Sequence, residues 1–259
     1  MAWFRNWRRA RILKKYPLPE AAWREACARL PLLHGLSTAE MVRLRVLTTL
    51  FMRRKSFSPV KGVSLDLKRR LTIAIQACLP ILELDIDYYN GWTEIIVYPE
   101  SFVVMRDLPD ASGIVELRHD VLSGEAWSNG PVILSWCDVR HDSYRIRPGH
   151  NVVIHEFAHK LDMLNGRANG MPPLHPNMPI EAWTQALTRA YNTLTRQLEH
   201  HRRPWINAYA ATNPAEFFAV LSESFFTDPV HLKHHEPDVY EQFVRFYHQN
   251  PLLRTGAWP

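Results

Sequence analysis

The sequence predicts a mostly helical α+β fold, in which a small mixed or antiparallel sheet precedes a buried helix. Apolar residues at helical spacing fill the first third of the chain, β-rich runs cluster in the middle third, and helical spacing returns from Val152 onwards. The 259 residues are 46% hydrophobic and contain no repeat and no Gly/Ser linker. We therefore expect one domain, 1–259, with a helical part (1–90), a sheet region (91–150) and a second helical part (151–259).

Three helices are predicted before the sheet region. Residues 20–30 carry apolar side chains at helical spacing. Ser37 and Glu40 have the spacing of a capping box, which predicts the start of a helix over 41–51. Residues 65–79 continue the helical pattern.

The middle of the chain favours strands, and the end returns to helices. The β-rich runs are Glu94–Tyr98, 102–105, 113–118 and 132–136. A proline-rich loop through Pro179 then leads to a long helix ending near Glu199, and a last helix is predicted at 239–248.

His155, Glu156 and His159 form the pattern HExxH, the short helical signature of a zinc hydrolase. Histidines four residues apart project from nearly the same face of a helix and can bind one Zn²⁺, with Glu156 placed to take a proton from water at the metal. Asn151 and Gly166 are good start and stop residues for this helix. The alternative, two histidines on a core helix without metal, is disfavoured because burying them and a glutamate among apolar residues is costly.

A third ligand has two candidates on a later apolar helix, whose start is predicted by Asn213 and Pro214. Glu216 lies in the first turn of that helix. It also occupies the third helical position, where a glutamate often closes a capping box, so spacing alone leaves ligand and cap equally open. Glu223, two turns further, is the competing ligand. It ranks lower because a helix presenting Glu223 to zinc would also bring Glu216 close to the same site.

The segments HEFAHKLDMLNG and YAATNPAEFFAVLSESF together resemble the Mlc titration factor A family of zinc peptidases. They are more distantly similar to the catalytic domain of anthrax lethal factor. The resemblance extends along most of the chain and includes GPVILSW ahead of the motif helix. It implies a zincin-like metallopeptidase fold that binds one Zn²⁺ per chain through His155, His159 and Glu216. It also implies Glu156 as general base and acid, and Tyr209 at the metal.

The same resemblance implies two classes of function. Family members act as aminopeptidases, and the family binds the transcriptional repressor Mlc and removes it from DNA, which affects glucose phosphotransferase genes. We therefore expect a zinc-dependent aminopeptidase. We also expect it to bind Mlc and to make no direct contact with nucleic acid. The alternative is a protein that mainly sequesters the repressor and has residual peptidase activity.

Two further features border the predicted site. Asp162 lies on the same helical face as both histidines, where it could accept a hydrogen bond from a ligand imidazole. An ion pair between Asp162 and an arginine of a neighbouring segment is equally open. The strand at 132–136 is expected at a sheet edge beside the cleft, where an extended substrate can add to it. A buried strand without substrate contact is the alternative. The loop 167–179 could cover the cleft.

Composition favours a cytoplasmic protein. The three cysteines are odd in number, widely spaced and not in metal-binding pairs, as in a reduced compartment. No apolar run approaches the ~20 residues needed to cross a bilayer. The N-terminus lacks the continuous apolar segment of a secretory signal.

The first 16 residues, MAWFRNWRRARILKKY, combine aromatic and basic side chains, and the first acidic residue is Glu20. This pattern is compatible with an arm that contacts an anionic membrane surface or nucleic acid. The alternative is a solvated helix whose aromatic side chains, those of Trp3, Phe4 and Trp7, pack back on the domain.

Overall fold

Helices dominate the structure, which the computed structural model describes for residues 2–100, 102–109, 115–122, 124–126 and 130–257. The α-helices are α1 (Ala2–Lys15), α2 (Glu20–Ala28), α3 (Thr38–Arg54), α4 (Leu67–Cys78), α5 (Trp136–Ser143), α6 (Val152–Asp162), α7 (Ile180–Glu199), α8 (Pro214–Thr227), α9 (Pro229–His235) and α10 (Pro237–Tyr247). Short 3-10 helices lie at Pro31–Leu33, Ile86–Tyr89, Met163–Asn165, Ala208–Ala211 and Pro251–Ala257. The strands are β1 (Ser56–Pro59), β2 (Glu94–Tyr98), β3 (Phe102–Pro109), β4 (Val115–Leu122), β5 (Gly124–Ala126) and β6 (Val132–Ser135). The mostly helical α+β class is thus confirmed.

The main sheet is mixed and has the strand order β1-β2-β6-β5. β1, β2 and β6 are parallel, whereas β5 runs antiparallel to β6. The parallel pairing of β1 with β2 follows from the crossover through α4 that connects them, because parallel neighbours need a long connection. β3 and β4 form a separate antiparallel pair. The sheet therefore precedes α6 as predicted, but most of it is parallel.

β6 is not the sheet edge that the sequence was expected to place at 132–136. It lies between β2 and β5, and its residues Val132 and Leu134 are fully buried. The short strand β5 forms the outer position next to it and packs on α6. The strand predicted at 113–118 corresponds to β4, and residues 113 and 114 lie outside the described residues.

The predicted capping signals are formed. Ser37 Oγ accepts a hydrogen bond from Glu40 N at 3.3 Å, and Glu40 Oε2 accepts one from Ser37 N at 2.7 Å. Asn151 caps α6, and Gly166 follows the 3-10 turn after α6 with φ of +121°, a conformation that favours glycine. α5 and α9 were not predicted, because helices of seven or eight residues show too little apolar periodicity.

Aromatic packing fixes the inner face of α6. The ring of Phe157 lies 5.6 Å from that of Phe51, 5.1 Å from that of Tyr89 and 5.7 Å from that of Trp92, measured between centroids. Phe157 is fully buried, as are its neighbours Ala158 and Leu161 on α6. The helix thereby forms a fixed support for the two histidines that flank Phe157 in the sequence.

A second aromatic cluster fixes α8. Phe218 contacts Trp183 of α7 and Phe243 of α10, with ring centroids 6.0 and 5.5 Å apart. Phe217 and Phe225 of α8 are also buried. None of the described helices combines the length and apolar character needed to span a bilayer.

Phe157→Ala is expected to lower the free energy of unfolding by about 3–5 kcal/mol, because it leaves a cavity between α6 and the rings of Phe51, Tyr89 and Trp92. Urea denaturation followed by circular dichroism measures the change. Phe157→Leu fills most of that cavity and should cost clearly less. Equal losses in the two variants would contradict a cavity as the cause.

Candidate metal centre

The N-terminus of α6 is held by polar groups from three other helices. The side chain of Asn151 caps the helix and also donates from Nδ2 to Gln76 Oε1 of α4 at 2.8 Å. Two carboxylates accept the first backbone N–H groups: Glu223 from Asn151 N at 2.5 Å and Asp142 from Val152 N at 3.1 Å. Negative charge at a helix N-terminus is favourable, because the helix dipole is positive there. These contacts fix where α6 begins.

Three side chains converge on one point between α6 and α8. His155 Nε2 and His159 Nε2 lie 3.2 Å apart, and Glu216 Oε2 lies 3.0 Å from the first and 3.3 Å from the second. Metal–nitrogen bonds of ~2.0–2.1 Å at tetrahedral angles put ligand atoms roughly 3.3–3.4 Å apart. The three separations are close to this value, so the residues fit a tetrahedral ion with one position left for water or substrate.

The three side chains are nearly buried but still reachable from solvent. The exposed fractions are 13% for His155, 9% for His159 and 14% for Glu216. Asn213 Oδ1 accepts from Glu216 N at 3.0 Å, so Asn213 caps α8, while the Glu216 carboxylate turns toward the imidazoles. The geometry thus favours the ligand role of Glu216 over the capping role.

The charges of the cluster suit a cation. Burial alone would lower the pKa of His155, but the carboxylates of Glu223 and Glu216 raise it well above its usual value. Burial lowers the pKa of His159, which keeps that imidazole neutral. Burial would raise the pKa of Glu216, yet the two imidazoles hold it well below its usual range. The negative charge of the Glu216 carboxylate beside the two imidazole nitrogens therefore favours a cation at this point.

Glu223 orients His155 from behind. Its Oε1 lies 2.8 Å from His155 Nδ1, and its Oε2 accepts from Asn151 N. With the Nδ1 proton donated to Glu223, the Nε2 lone pair of His155 faces the converging side chains. Glu223 is thus a support for a candidate ligand. The signal in the sequence is its spacing of seven residues from Glu216, which puts both carboxylates on one face of α8.

Within the described part of the chain, Asp162 makes neither of the two contacts that were considered for it, a hydrogen bond to a ligand imidazole or an ion pair with an arginine. Its Oδ2 accepts a hydrogen bond from Gly170 N at 2.8 Å, and among the described residues neither an imidazole nor an arginine pairs with it. Burial raises the pKa of Asp162 to about 6, partly opposed by backbone N–H groups of residues 169–171. His159 Nδ1, in the same part of the structure, is buried without a hydrogen-bond partner from the described chain. Asp162 therefore anchors the following loop.

Glu156 and Tyr209 both lie next to the cluster, but Glu156 is buried and Tyr209 is exposed. Glu156 is buried on α6, one turn before Lys160. Burial lowers the pKa of Lys160 to about 8, and the negative charge of Glu156 opposes that shift. Tyr209 is 42% exposed, and its ring centroid lies 6.2 Å from that of His155. Tyr209 thus borders the site toward solvent.

Two buried lysines adjoin the indole of Trp92, an arrangement that sequence reasoning missed. Lys55 Nζ lies 3.5 Å and Lys160 Nζ 4.8 Å from a Trp92 ring centroid. Lys55 donates to the carbonyls of Tyr89 and Trp92, and Lys160 to that of Gly130 at 2.9 Å. Burial lowers the pKa of Lys55 to about 7. Lys160 therefore ties α6 to the segment that enters β6.

The loop after α6 is packed against the start of α8. Gly170 has φ of +77°, and a Cβ atom built on it would lie 2.5 Å from the carbonyl oxygen of Pro214. Trp183 Nε1 donates to Gly170 O at 3.1 Å. His175, in the same loop, is engaged with the backbone carbonyl of Phe246 at 2.8 Å. The loop therefore connects the end of α6 to the residues just ahead of Glu216.

Glu223→Gln is expected to weaken Zn²⁺ binding by roughly 10–100-fold, because an amide can no longer accept from both His155 Nδ1 and Asn151 N. Glu216→Ala should weaken it further by removing a converging oxygen. Competition with a chromophoric chelator measures the affinity, and Glu199→Gln at the exposed end of α7 is the control. Unchanged affinity in Glu216→Ala would remove Glu216 from the ligand set.

Known proteins are similar to this chain over nearly its whole length. Residues 4–248 match the family model described as glucose-regulated metallo-peptidase M90. The Mlc titration factor A of Escherichia fergusonii is 42% identical over 240 residues, covering 92% of this chain and 89% of that protein. The proteins of the same name from Escherichia coli (40% over 235 residues; 90% and 87%) and Yersinia pestis (39% over 241 residues; 92% and 88%) are similar to a comparable extent. The chain therefore belongs to the glucose-regulated metallo-peptidase family M90, which implies a metal cofactor.

Proposed function

We propose that this protein is a zinc-dependent peptidase with His155, His159 and Glu216 as metal ligands. The observation that supports it best is the convergence of two Nε2 atoms and one carboxylate oxygen at 3.0–3.3 Å in a member of a metallopeptidase family. Zinc is proposed because two imidazoles, one carboxylate and an open fourth position form a donor set that catalytic zinc prefers.

Bound zinc would supply a Lewis acid that polarises a carbonyl oxygen and lowers the pKa of water toward ~7. In this proposal Glu156, next to His155 on α6, accepts the proton of the attacking water and passes it to the leaving amine. The hydroxyl of Tyr209 stabilises the negative charge that develops on the carbonyl oxygen. Glu223 keeps the imidazole of His155 in the tautomer and orientation that ligation requires.

An extended substrate backbone is proposed to lie along β5. This strand has the outer position beside β6 in the described sheet, and it packs on α6. Backbone pairing at such an edge aligns a peptide without constraining its side chains.

The proposal that the enzyme is an aminopeptidase rests on the family resemblance. Hydrolysis of a peptide with a free amino terminus but not of its acetylated form would support it.

Glu156→Gln is expected to keep the metal and to lower peptide turnover by roughly 10²–10⁴-fold, because the amide cannot carry the proton. Metal content by elemental analysis and hydrolysis of aminoacyl p-nitroanilides are the two measurements. Glu199→Gln serves again as the surface control. A Glu156→Gln enzyme with full activity would exclude Glu156 as general base.

A second candidate function is binding of a repressor of the Mlc type in the cytoplasm. This candidate is supported by relatives named Mlc titration factor A, which are about 40% identical to this chain over most of its length. Such binding would remove the repressor from DNA without any contact between this protein and nucleic acid. If turnover of peptides proves negligible, sequestration becomes the main function.

Wild type and Glu156→Gln are both expected to retain the Mlc repressor in a pull-down, because the substitution leaves the surface outside the cleft unchanged. Binding constants from surface plasmon resonance quantify the comparison. Loss of binding in Glu156→Gln alone would show that the repressor occupies the catalytic cleft. Failure of both proteins to bind would refute the second function and leave the peptidase proposal intact.

A further inference from the structure

Helix α1 is attached to the domain along one face. Its Arg9 forms ion pairs with Asp85 at 2.6 Å and Asp87 at 2.9 Å, and the Arg9 side chain is only 18% exposed. Ile12 and Leu13 of the same helix pack against the hydrophobic core. These contacts fix the orientation of α1, so its opposite face is a defined surface.

The opposite face presents three large aromatic side chains to solvent. Trp3, Phe4 and Trp7 are 70%, 65% and 49% exposed. Since successive residues of a helix are about 100° apart, these three and Arg11 share a sector of roughly 100° centred almost opposite Arg9. The exposure contradicts the alternative that the aromatic side chains pack back on the domain. Trp3 and Phe4 contact each other instead, with ring centroids 5.0 Å apart.

Basic side chains continue this surface toward the C-terminal end of α1. The exposed ones are Arg8, Arg11, Lys14 and Lys15. Within the described residues no carboxylate forms an ion pair with any of these four, whereas Arg9 is neutralised by Asp85 and Asp87. Arg11 lies over the ring of Trp7 at 5.5 Å. The face therefore has an aromatic end and an uncompensated cationic end.

We propose that this face of α1 binds the surface of an anionic lipid bilayer. Basic helices with tryptophan and phenylalanine on one side lie in the interface, where the rings enter the headgroup region and the cations meet lipid phosphates. Duplex nucleic acid would use the cationic end, but its bases are already stacked and it would leave three adjacent aromatic side chains in water. With only three rings to insert, binding is reversible and depends on anionic lipid. Membrane binding through α1 requires neither peptidase activity nor the repressor.

The test is flotation of the full-length protein with vesicles of phosphatidylcholine alone or mixed equally with phosphatidylglycerol. Wild type is expected to associate at least tenfold more with the anionic vesicles, and less at higher salt because charges are screened. Both the Trp3→Ala/Phe4→Ala/Trp7→Ala and the Arg8→Gln/Arg11→Gln/Lys14→Gln/Lys15→Gln variants should lose about tenfold or more of this binding.

Matched controls carry the same kind of change on other elements. Val42→Ala/Ile180→Ala/Val230→Ala removes exposed apolar side chains, and Arg140→Gln/Arg145→Gln/Arg202→Gln/Arg203→Gln removes four exposed charges. Both controls should bind like wild type, and thermal melting shows that every variant is folded. The proposal is overturned if anionic vesicles bind no better than neutral ones, or if the α1 variants bind as wild type. It also fails if the aromatic residues instead support self-association or duplex DNA binding without vesicle binding.

Discussion

The distance between α6 and α8 is the constraint on which the rest of the site depends. Two candidate ligands come from α6 and the third from α8, so a shift of half an ångström between the helices would spoil a tetrahedral set. Glu223 controls this distance most directly, because its single carboxylate on α8 contacts both a histidine side chain and a backbone N–H of α6. The aromatic clusters around Phe157 and Phe218 hold the far sides of the same two helices.

Buried polar groups make this arrangement specific as well as stable. Asn151 joins Gln76, and Gln76 in turn donates to Ser143 at 2.8 Å, so one continuous network links α6, α4 and α5. Each member is buried, and a misplaced partner would leave a polar atom without a hydrogen bond at a cost of about 1–3 kcal/mol. The start of the motif helix therefore has one favourable position. The helix dipole adds to the effect, since carboxylates surround its positive end.

The sequence was most informative where local chemistry decides the structure. The capping box at Ser37, the cap at Asn151 and the shared helical face of His155 and His159 follow from short spacings. Glu216 is far away in the sequence, and only the family resemblance implied it as a ligand. Prediction from the sequence failed where the contacts of a residue depend on what packs beside its helix or strand. Asp162 and Glu223 both lie on suitable helical faces, and only the tertiary packing determines which carboxylate reaches an imidazole. In the same way, the sequence of β6 is compatible with an edge strand, and only the structure shows that the short strand β5 pairs with its outer side.

The close approach of Gly170 to Pro214 has a consequence for which residues position 170 can accept. Any larger residue at 170 has to displace the carbonyl of Pro214, and the carboxylate of Glu216 follows only two positions later. A loop that contributes no candidate ligand thus restricts the backbone that a candidate ligand follows two residues later. Even an alanine at 170 would have to shift the backbone that leads into Glu216, so both the positive φ and the lack of space favour glycine at this position.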